Sequence, residues 1–293
     1  MTMSGTVGGA VGSGEKLPDA PESEPFDSAT ILGGIYGDGI IGHKSAFDPR
    51  WVQELGEDID VLFGEALARP GGSVGRGPKR YYVEIHGERL RGFVGLVTHP
   101  WVVAVSRAVL GPHYRIVEIG FDVPLPGAMD QPWHRDFPAP PETVMGRHLN
   151  SLAFNLTTVD VLPDMGPFEV APGTQWDSSP EFEHGMFPPR SFYERYQVRA
   201  QRKMPRIGDI SARSALTIHR GTANHSNTPR PALVLGVDAP DATNAERHDL
   251  QVTAAFYATL PADLRDHLAC RVVETLELII QAHTIEGLVM GEA

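Results

Sequence analysis

The chain has 293 residues, 41% of them hydrophobic and 21% charged, an ordinary globular composition that excludes disorder over most of its length. A net charge of -12, with no local basic patch, excludes a general nucleic-acid binder, because a phosphate backbone would be repelled. One cysteine, Cys270, excludes an internal disulfide and a Cys-type zinc site, and fits a reducing compartment.

The N-terminus has neither a basic start nor a continuous apolar core, and no window reaches the apolar length of a membrane span. Neither a secretory signal nor a membrane contact is expected, and the expected compartment is the cytoplasm. Residues 1 to about 28, rich in Gly, Ser, Pro and acidic side chains, are expected to be a disordered tail. Residues 29–293 are expected to form a single domain. "FDPRWVQELGEDIDVLFGEAL" predicts an amphipathic helix, with Trp51, Leu55, Ile59, Leu62 and Phe63 at helical spacing and Asp48 as its cap. "GGSVGRGPKRYY" reads as a mobile loop with Arg76, Lys79 and Arg80 in solvent, or alternatively as a recogniser of an anionic substrate. "HPWVVAVSRAVLGP" predicts a second helix, entered through Pro100, closed at Gly111-Pro112, and apolar along Val102, Val105 and Leu110.

From Tyr114 the character changes. "YRIVEIGFDVPLPG", "NSLAFNLTTVDV", "GPFEVAPGT", "SALTIHRG" and "RPALVLGVDA" are short β-prone runs separated by turn residues, as in an antiparallel sandwich or barrel. Residues 181–197 read as an active-site lid or a plain surface insertion. The end, "PADLRDHLACRVVETLELIIQAH", carries Leu264, Leu268, Val272, Leu276 and Ile280 every four residues. A helix with one oily stripe is expected there, covering the sheet or a second copy of the chain in a homodimer.

The stretch "QPWHRDF" bears the chemistry. In extended backbone alternate residues share a face, so His134 and Asp136 point one way while Trp133 and Arg135 point the other, Trp133 as packing. Two histidines and one carboxylate on one face of an octahedron leave three positions open, which suits Fe(II) taking up a co-substrate and dioxygen. "ALTIHRGTANHSNTPRPALVL" offers His219 or His225 as the third ligand, followed by Arg230, whose planar fork matches a carboxylate.

With these residues the chain resembles the phytanoyl-CoA dioxygenase family of Fe(II)- and 2-oxoglutarate-dependent oxygenases. The family pattern is H-x-D followed by a Gly-Asp turn, a strand ending in His, then Asn and Arg; here it stands as Gly208-Asp209, "ISARSALTI", His219, Asn224 and Arg230. "HPWVVAVSRAVLGP" resembles the helix before the barrel, and "MGPFEVAPGTQWD" resembles a segment ending in Pro-Gly-Ser/Thr-His, where this chain departs with Gln175. The resemblance implies a mainly β fold with flanking helices, a double-stranded β-helix or jelly roll. It implies His134, Asp136 and His219 as iron ligands and Arg230 as the clamp on the distal carboxylate of 2-oxoglutarate, with Gln131, Asn155 and Thr157 in the cofactor pocket. The local sequence agrees on His219: it follows the apolar run "SALTI", where a sheet would fix it, whereas His225 lies in a Gly-, Asn- and Pro-rich turn.

Fe(II), 2-oxoglutarate and O2 are then the implied cofactors. The implied activity is hydroxylation or another oxidation of a C–H bond in a small-molecule metabolite, with release of succinate and CO2. Family members that halogenate have a small residue in place of the carboxylate, so Asp136 points to hydroxylation. The rival from another class is a metal-binding jelly roll without redox chemistry, a cupin-like isomerase or binding module, which would need neither Arg230 nor the Asn224 spacing.

Overall fold

The computed structural model describes residues 26–242 and 248–282. Asp27 caps α1 (Ser28–Gly37) by accepting from the backbone N–H groups of Ala29 and Thr30, so regular structure begins within the last residue of the expected tail. Residues 1–25 of that tail lie outside the described residues. After β1 (Ile40–His43) comes α2 (Pro49–Leu67), with Asp48 at its cap and Val52, Leu55, Ile59 and Leu62 buried, as the periodicity requires.

β2 (Val74–Gly75) and β3 (Arg80–Glu84) stand where a mobile loop was expected. The reason is the apolar run after Arg80: Val83 is buried in the main core and β3 pairs along β4, which turns Arg80 inward at 2% exposure. Arg76 is not loose either, since its guanidinium lies 3.8 Å over the Tyr82 ring. α3 (Phe93–Val97) leads into α4 (Pro100–Leu110), entered through Pro100 as expected.

β4 (Arg115–Pro124), α5 (Pro141–Gly146), β5 (Ser151–Thr157), β6 (Phe168–Val170), α6 (Tyr193–Arg199) and β7 (Gln201–Lys203) follow. Next come β8 (Ile210–Ser214), β9 (His219–Gly221), β10 (Ala232–Asp238), β11 (Gln251–Thr253), α7 (Ala254–Thr259), α8 (Ala262–His267) and β12 (Arg271–Val273). The strands order as β1-β8-β5-β10-β4-β3-β2 in a larger sheet, antiparallel at each pairing, and as β7-β6-β9 in a smaller one. This is a jelly roll, mainly β with flanking helices.

Period-two alternation divides the larger sheet. Leu152, Phe154 and Leu156 of β5 and Leu233, Leu235 and Val237 of β10 join one core with Leu55 and Ile59 of α2 and Trp101 and Val105 of α4. Each such side chain contributes about 1.5–3 kcal/mol on burial. The residues between them, Ala153, Asn155 and Thr157 on β5 and Val234 and Gly236 on β10, face the inter-sheet cavity.

Two expectations fail. "SALTI" is not a strand: β8 stops at Ser214 and a turn closes with Thr217 N–H donating to Ser214 O at 3.1 Å, so His219 opens β9 instead of ending a longer run. Leu216 and Ile218 are nonetheless buried, which is what their apolarity reflected. The C-terminal helix also fails. α8 stops at His267, whose ring stacks on Tyr114 with centroids 3.9 Å apart and whose Nδ1 lies 2.7 Å from Tyr114 O. Beyond it the β-branched Val272 and Val273 pair in parallel with β11, and Leu276 and Ile280 lie in non-helical chain with Ile280 69% exposed. Tertiary pairing overrides the four-residue spacing; His283, the end of that expected helix, lies outside the described residues.

Candidate metal centre

Backbone pairing brings the two halves of the site together. The segment from Gln131 to Asp136 runs antiparallel to the segment from Ala215 to Gly221: Gln131 N–H donates to Gly221 O at 2.9 Å and Asp136 N–H to Ala215 O at 3.0 Å. Between them His134 and His219 exchange both main-chain hydrogen bonds. Alternation then turns Trp133 away from the cavity, while Arg135 borders it. Trp133 is fully buried in a second cluster with Ala171, Phe182, Tyr196 and Ile218, and the Arg135 guanidinium lies 4.9 Å over Phe182.

His134, Asp136 and His219 offer one ligand atom each within 4.8 Å of one another, and no other such group of metal-capable side chains occurs among the described residues. Both imidazoles are oriented by the main chain. His134 Nδ1 lies 2.8 Å from Pro132 O and His219 Nδ1 2.8 Å from Thr217 O. A carbonyl only accepts, so Nδ1 carries the proton and Nε2 keeps the lone pair a metal needs. Burial pushes the His134 imidazole well below its ordinary value, helped by the neighbouring His219, and burial likewise lowers His219. Both are neutral near pH 7. Burial on its own would raise the Asp136 carboxyl, but the Arg213 guanidinium beside it holds it well below the usual carboxylate range. Two neutral imidazoles and an ionised carboxylate form the donor set suited to a ferrous centre.

A cavity of about 560 Å³ opens between the sheets, with the three residues on its wall. Met186 and Phe187 of the 181–197 segment also line it, and the Phe187 ring lies 5.9 Å from that of His134, so this segment is part of the wall. Arg230 enters from the chain just ahead of β10, 4% exposed, its Nε buried without an acceptor and the Asp122 carboxylate 3.9 Å from Nη2. Arg80 reaches the same Asp122 at 3.1 Å and donates to Thr222 O at 2.9 Å. Two buried guanidinium groups thus share one carboxylate, which leaves a positive charge for an anionic ligand. Burial and the proximity of Arg80 bring Arg230 down to about 10, so it remains cationic near neutrality.

A model of the phytanoyl-CoA dioxygenase (PhyH) family matches residues 35–232. The chain belongs to the phytanoyl-CoA dioxygenase family. Among solved structures it is similar to the non-heme alpha-ketoglutarate-dependent carbocyclase SnoK from nogalamycin biosynthesis, at 17% identity over 78% of this chain and 92% of that one, with a TM-score of 0.57. The epimerase SnoN from the same biosynthesis gives 19% identity over 72% of this chain and 80% of that one, TM-score 0.58. EctD from S. alaskensis, solved with 2-oxoglutarate and 5-hydroxyectoine, gives 18% identity over 77% and 79%, TM-score 0.57. At these identities the likeness is one of fold. Among curated proteins none matches the chain.

The remaining family positions divide by geometry. Asn155 and Thr157 face the cavity, and Thr157 Oγ1 is buried without a hydrogen-bond partner. Gln131 also borders it, but its side chain accepts from Gly221 N–H at 2.9 Å and donates to Arg76 O at 3.2 Å, tying the segment to β9. Asn224 is structural: its amide donates to Pro124 O and Thr228 O and its oxygen accepts from Ser226, which shapes the turn ahead of Arg230. His225 is exposed on that turn and is no part of the metal-capable group. Gln175, the departure from the family's His, is fully buried and donates to the carbonyls of Ile35, Tyr36 and Gly37 at the end of α1, away from the cavity.

Two site residues escaped the sequence reading, Asp122 and Arg213, and Arg80 was read first as a solvent-exposed loop residue, with anion recognition only as the alternative. Arg213 grips both oxygens of Asp136, at 2.7 and 3.0 Å. Its signal was a lone arginine inside the apolar, β-prone "ISARSALTI". Asp122 sits likewise among the apolar residues of β4, at the inward register opposite Ala232 of β10.

Proposed function

We propose that this family member is a non-haem Fe(II)- and 2-oxoglutarate-dependent dioxygenase that hydroxylates a C–H bond of a small-molecule metabolite and releases succinate and CO2. The observation that carries the proposal is the pairing of two sites on one cavity: three metal-capable side chains with their lone pairs facing each other, and a buried guanidinium short of an anion. A jelly roll that merely held a metal would have no use for the second.

In this reading His134 Nε2, His219 Nε2 and Asp136 hold the iron. Arg230 holds the distal carboxylate of 2-oxoglutarate, with Thr157 and Asn155 as hydrogen-bonding neighbours; the unpartnered Thr157 hydroxyl and the surplus charge at Arg230 are what such a dianion would satisfy. When bound, iron with 2-oxoglutarate and dioxygen supplies the oxidation: the co-substrate leaves as succinate and CO2, and one oxygen atom enters the substrate. The chain itself fixes the donors through the main chain and keeps both imidazoles neutral. It lines the approach with Phe137, Phe168, Met186 and Phe187, which exclude water from the reacting bond. Asp136 in the carboxylate position supports hydroxylation over halogenation. A cavity of about 560 Å³ has the size of a small-molecule site, and a free metabolite suits it.

The test is anaerobic addition of 2-oxoglutarate to the Fe(II)-loaded protein. A visible charge-transfer band is expected, followed in air by slow succinate formation without substrate, and Asp136→Ala should lose both. Neither band nor succinate from the iron-loaded parent would return the fold to the non-redox class.

A further inference from the structure

Asp136 has two oxygens, and they are not equivalent. Arg213 Nη1 donates to Oδ2 at 2.7 Å and Nη2 to Oδ1 at 3.0 Å, while Oδ1 is the oxygen that lies 3.4 Å from His219 Nε2. The oxygen turned toward His219 is therefore the one Arg213 holds less closely. Arg213 is itself fixed: its side chain is 6% exposed, it sits on β8 in register with Ile40 on one side and Ala153 on the other, and its guanidinium lies 5.5 Å over the Phe168 ring.

We propose that Arg213 is a positioning residue for the metal-binding carboxylate, retaining Oδ2 so that Oδ1 alone serves the metal. The inference rests on the reading of His134, Asp136 and His219 as the iron ligands. A carboxylate binds a metal through one oxygen or through both, and a free Asp136 could turn to chelate. Chelation would occupy one of the three positions that 2-oxoglutarate and dioxygen need. A planar fork opposite the carboxylate prevents the turn, which a lysine ammonium, as a point charge, does only in part. Arg213 also shares the negative charge of Asp136, which leaves the ion more charge with which to attract the anionic co-substrate.

The test uses the full chain and Co(II), whose visible spectrum reports the ligands around it. Outer-shell partners of metal ligands typically contribute about 10–100-fold in metal affinity. Arg213→Met is expected to weaken Co(II) binding by a factor in that range and to change the spectrum, because a second Asp136 oxygen would take a position the parent leaves open. Arg213→Lys should recover part of both, and in an Asp136→Ala background Arg213→Met should make no further difference. A folded Arg213→Met with parental affinity and spectrum overturns the proposal. If Arg213→Met does not fold, Arg213→Lys decides: weaker binding with an altered spectrum supports the inference, and parental behaviour overturns it. Parental Co(II) affinity in Asp136→Ala would instead overturn the ligand reading on which it rests.

Discussion

His134 and His219 each donate their backbone N–H to the other's carbonyl, at 2.9 and 2.8 Å, and their rings lie 4.4 Å apart. The pair is set by the main chain before any rotamer is chosen, and the Nδ1 contacts to Pro132 and Thr217 then fix the rings. Such preorganisation lets a metal bind without reordering its ligands.

Arg230 should dominate co-substrate affinity. Losing one end of a buried charge-assisted pair costs on the order of 2–5 kcal/mol. Arg230→Ala is expected to weaken anaerobic 2-oxoglutarate binding to the iron-loaded protein by that amount, and Arg230→Lys by less. Isothermal titration measures it, and parental affinity in Arg230→Ala would remove this residue from the clamp.

Arg80 should matter to the same binding constant, since without it Asp122 would be left to Arg230 alone and cancel its charge. Arg80→Met is expected to cost about 1.5–3 kcal/mol of 2-oxoglutarate affinity, the range of a hydrogen bond to a charged group. Gly221→Ala should produce a similar loss by another route, because a Cβ there would fall 2.1 Å from Arg80 Nη1, and that side chain is buried and tied to Asp122 and Thr222. Iron content should be unchanged in both variants; parental 2-oxoglutarate affinity in both would show that Arg80 is merely structural.

Much of this site was legible in the sequence. H-x-D with a distal His-x4-Asn-x5-Arg combines short-range alternation with a fixed spacing, and both survive in the structure. Asp48 and the α2 stripe were legible for the same reason: caps and periodicity are local. What could not be read depended on partners far along the chain. Arg80 meets Asp122 and Thr222, Arg213 meets Asp136, and the segment after α8 pairs with β11, which the leucine spacing alone does not disclose. Gln175 stood out in the sequence only as a departure from the family's His, and the three-dimensional contact with the end of α1 shows it to be a helix-end support.

His248 gives the fold a pH dependence. Burial alone would lower its imidazole, but Glu118, Glu84 and Asp238 outweigh that and raise it to about 9. A raised folded pKa contributes stability that is fully present below the unfolded value of about 6.5 and is lost as pH rises through about 9. Urea unfolding should therefore show His248→Gln destabilised relative to the parent at about pH 6 and close to it at about pH 10. An equal gap at both would mean that His248 is not charged in the fold.

Trp133 should be required for packing behind the ligands. It is fully buried against Tyr196 and Ile218, and truncating a buried aromatic costs about 3–5 kcal/mol. Trp133→Ala is expected to lose stability of that size in denaturant unfolding, while Trp133→Phe loses less. A loss below about 1 kcal/mol would place the tryptophan outside the core.

Whether His134, Asp136 and His219 hold the iron that turns over 2-oxoglutarate is decided by comparing the two downstream histidines. His219 opens β9 beside His134 and Asp136, and His225 is exposed on the next turn. Metal analysis and succinate formation are measured on His219→Ala and His225→Ala, each checked by circular dichroism for an intact fold. His219→Ala is expected to lose stoichiometric iron and all 2-oxoglutarate turnover, while His225→Ala keeps its iron with at most a partial loss of activity. An iron-free His225→Ala beside an iron-loaded, active His219→Ala would overturn the ligand assignment.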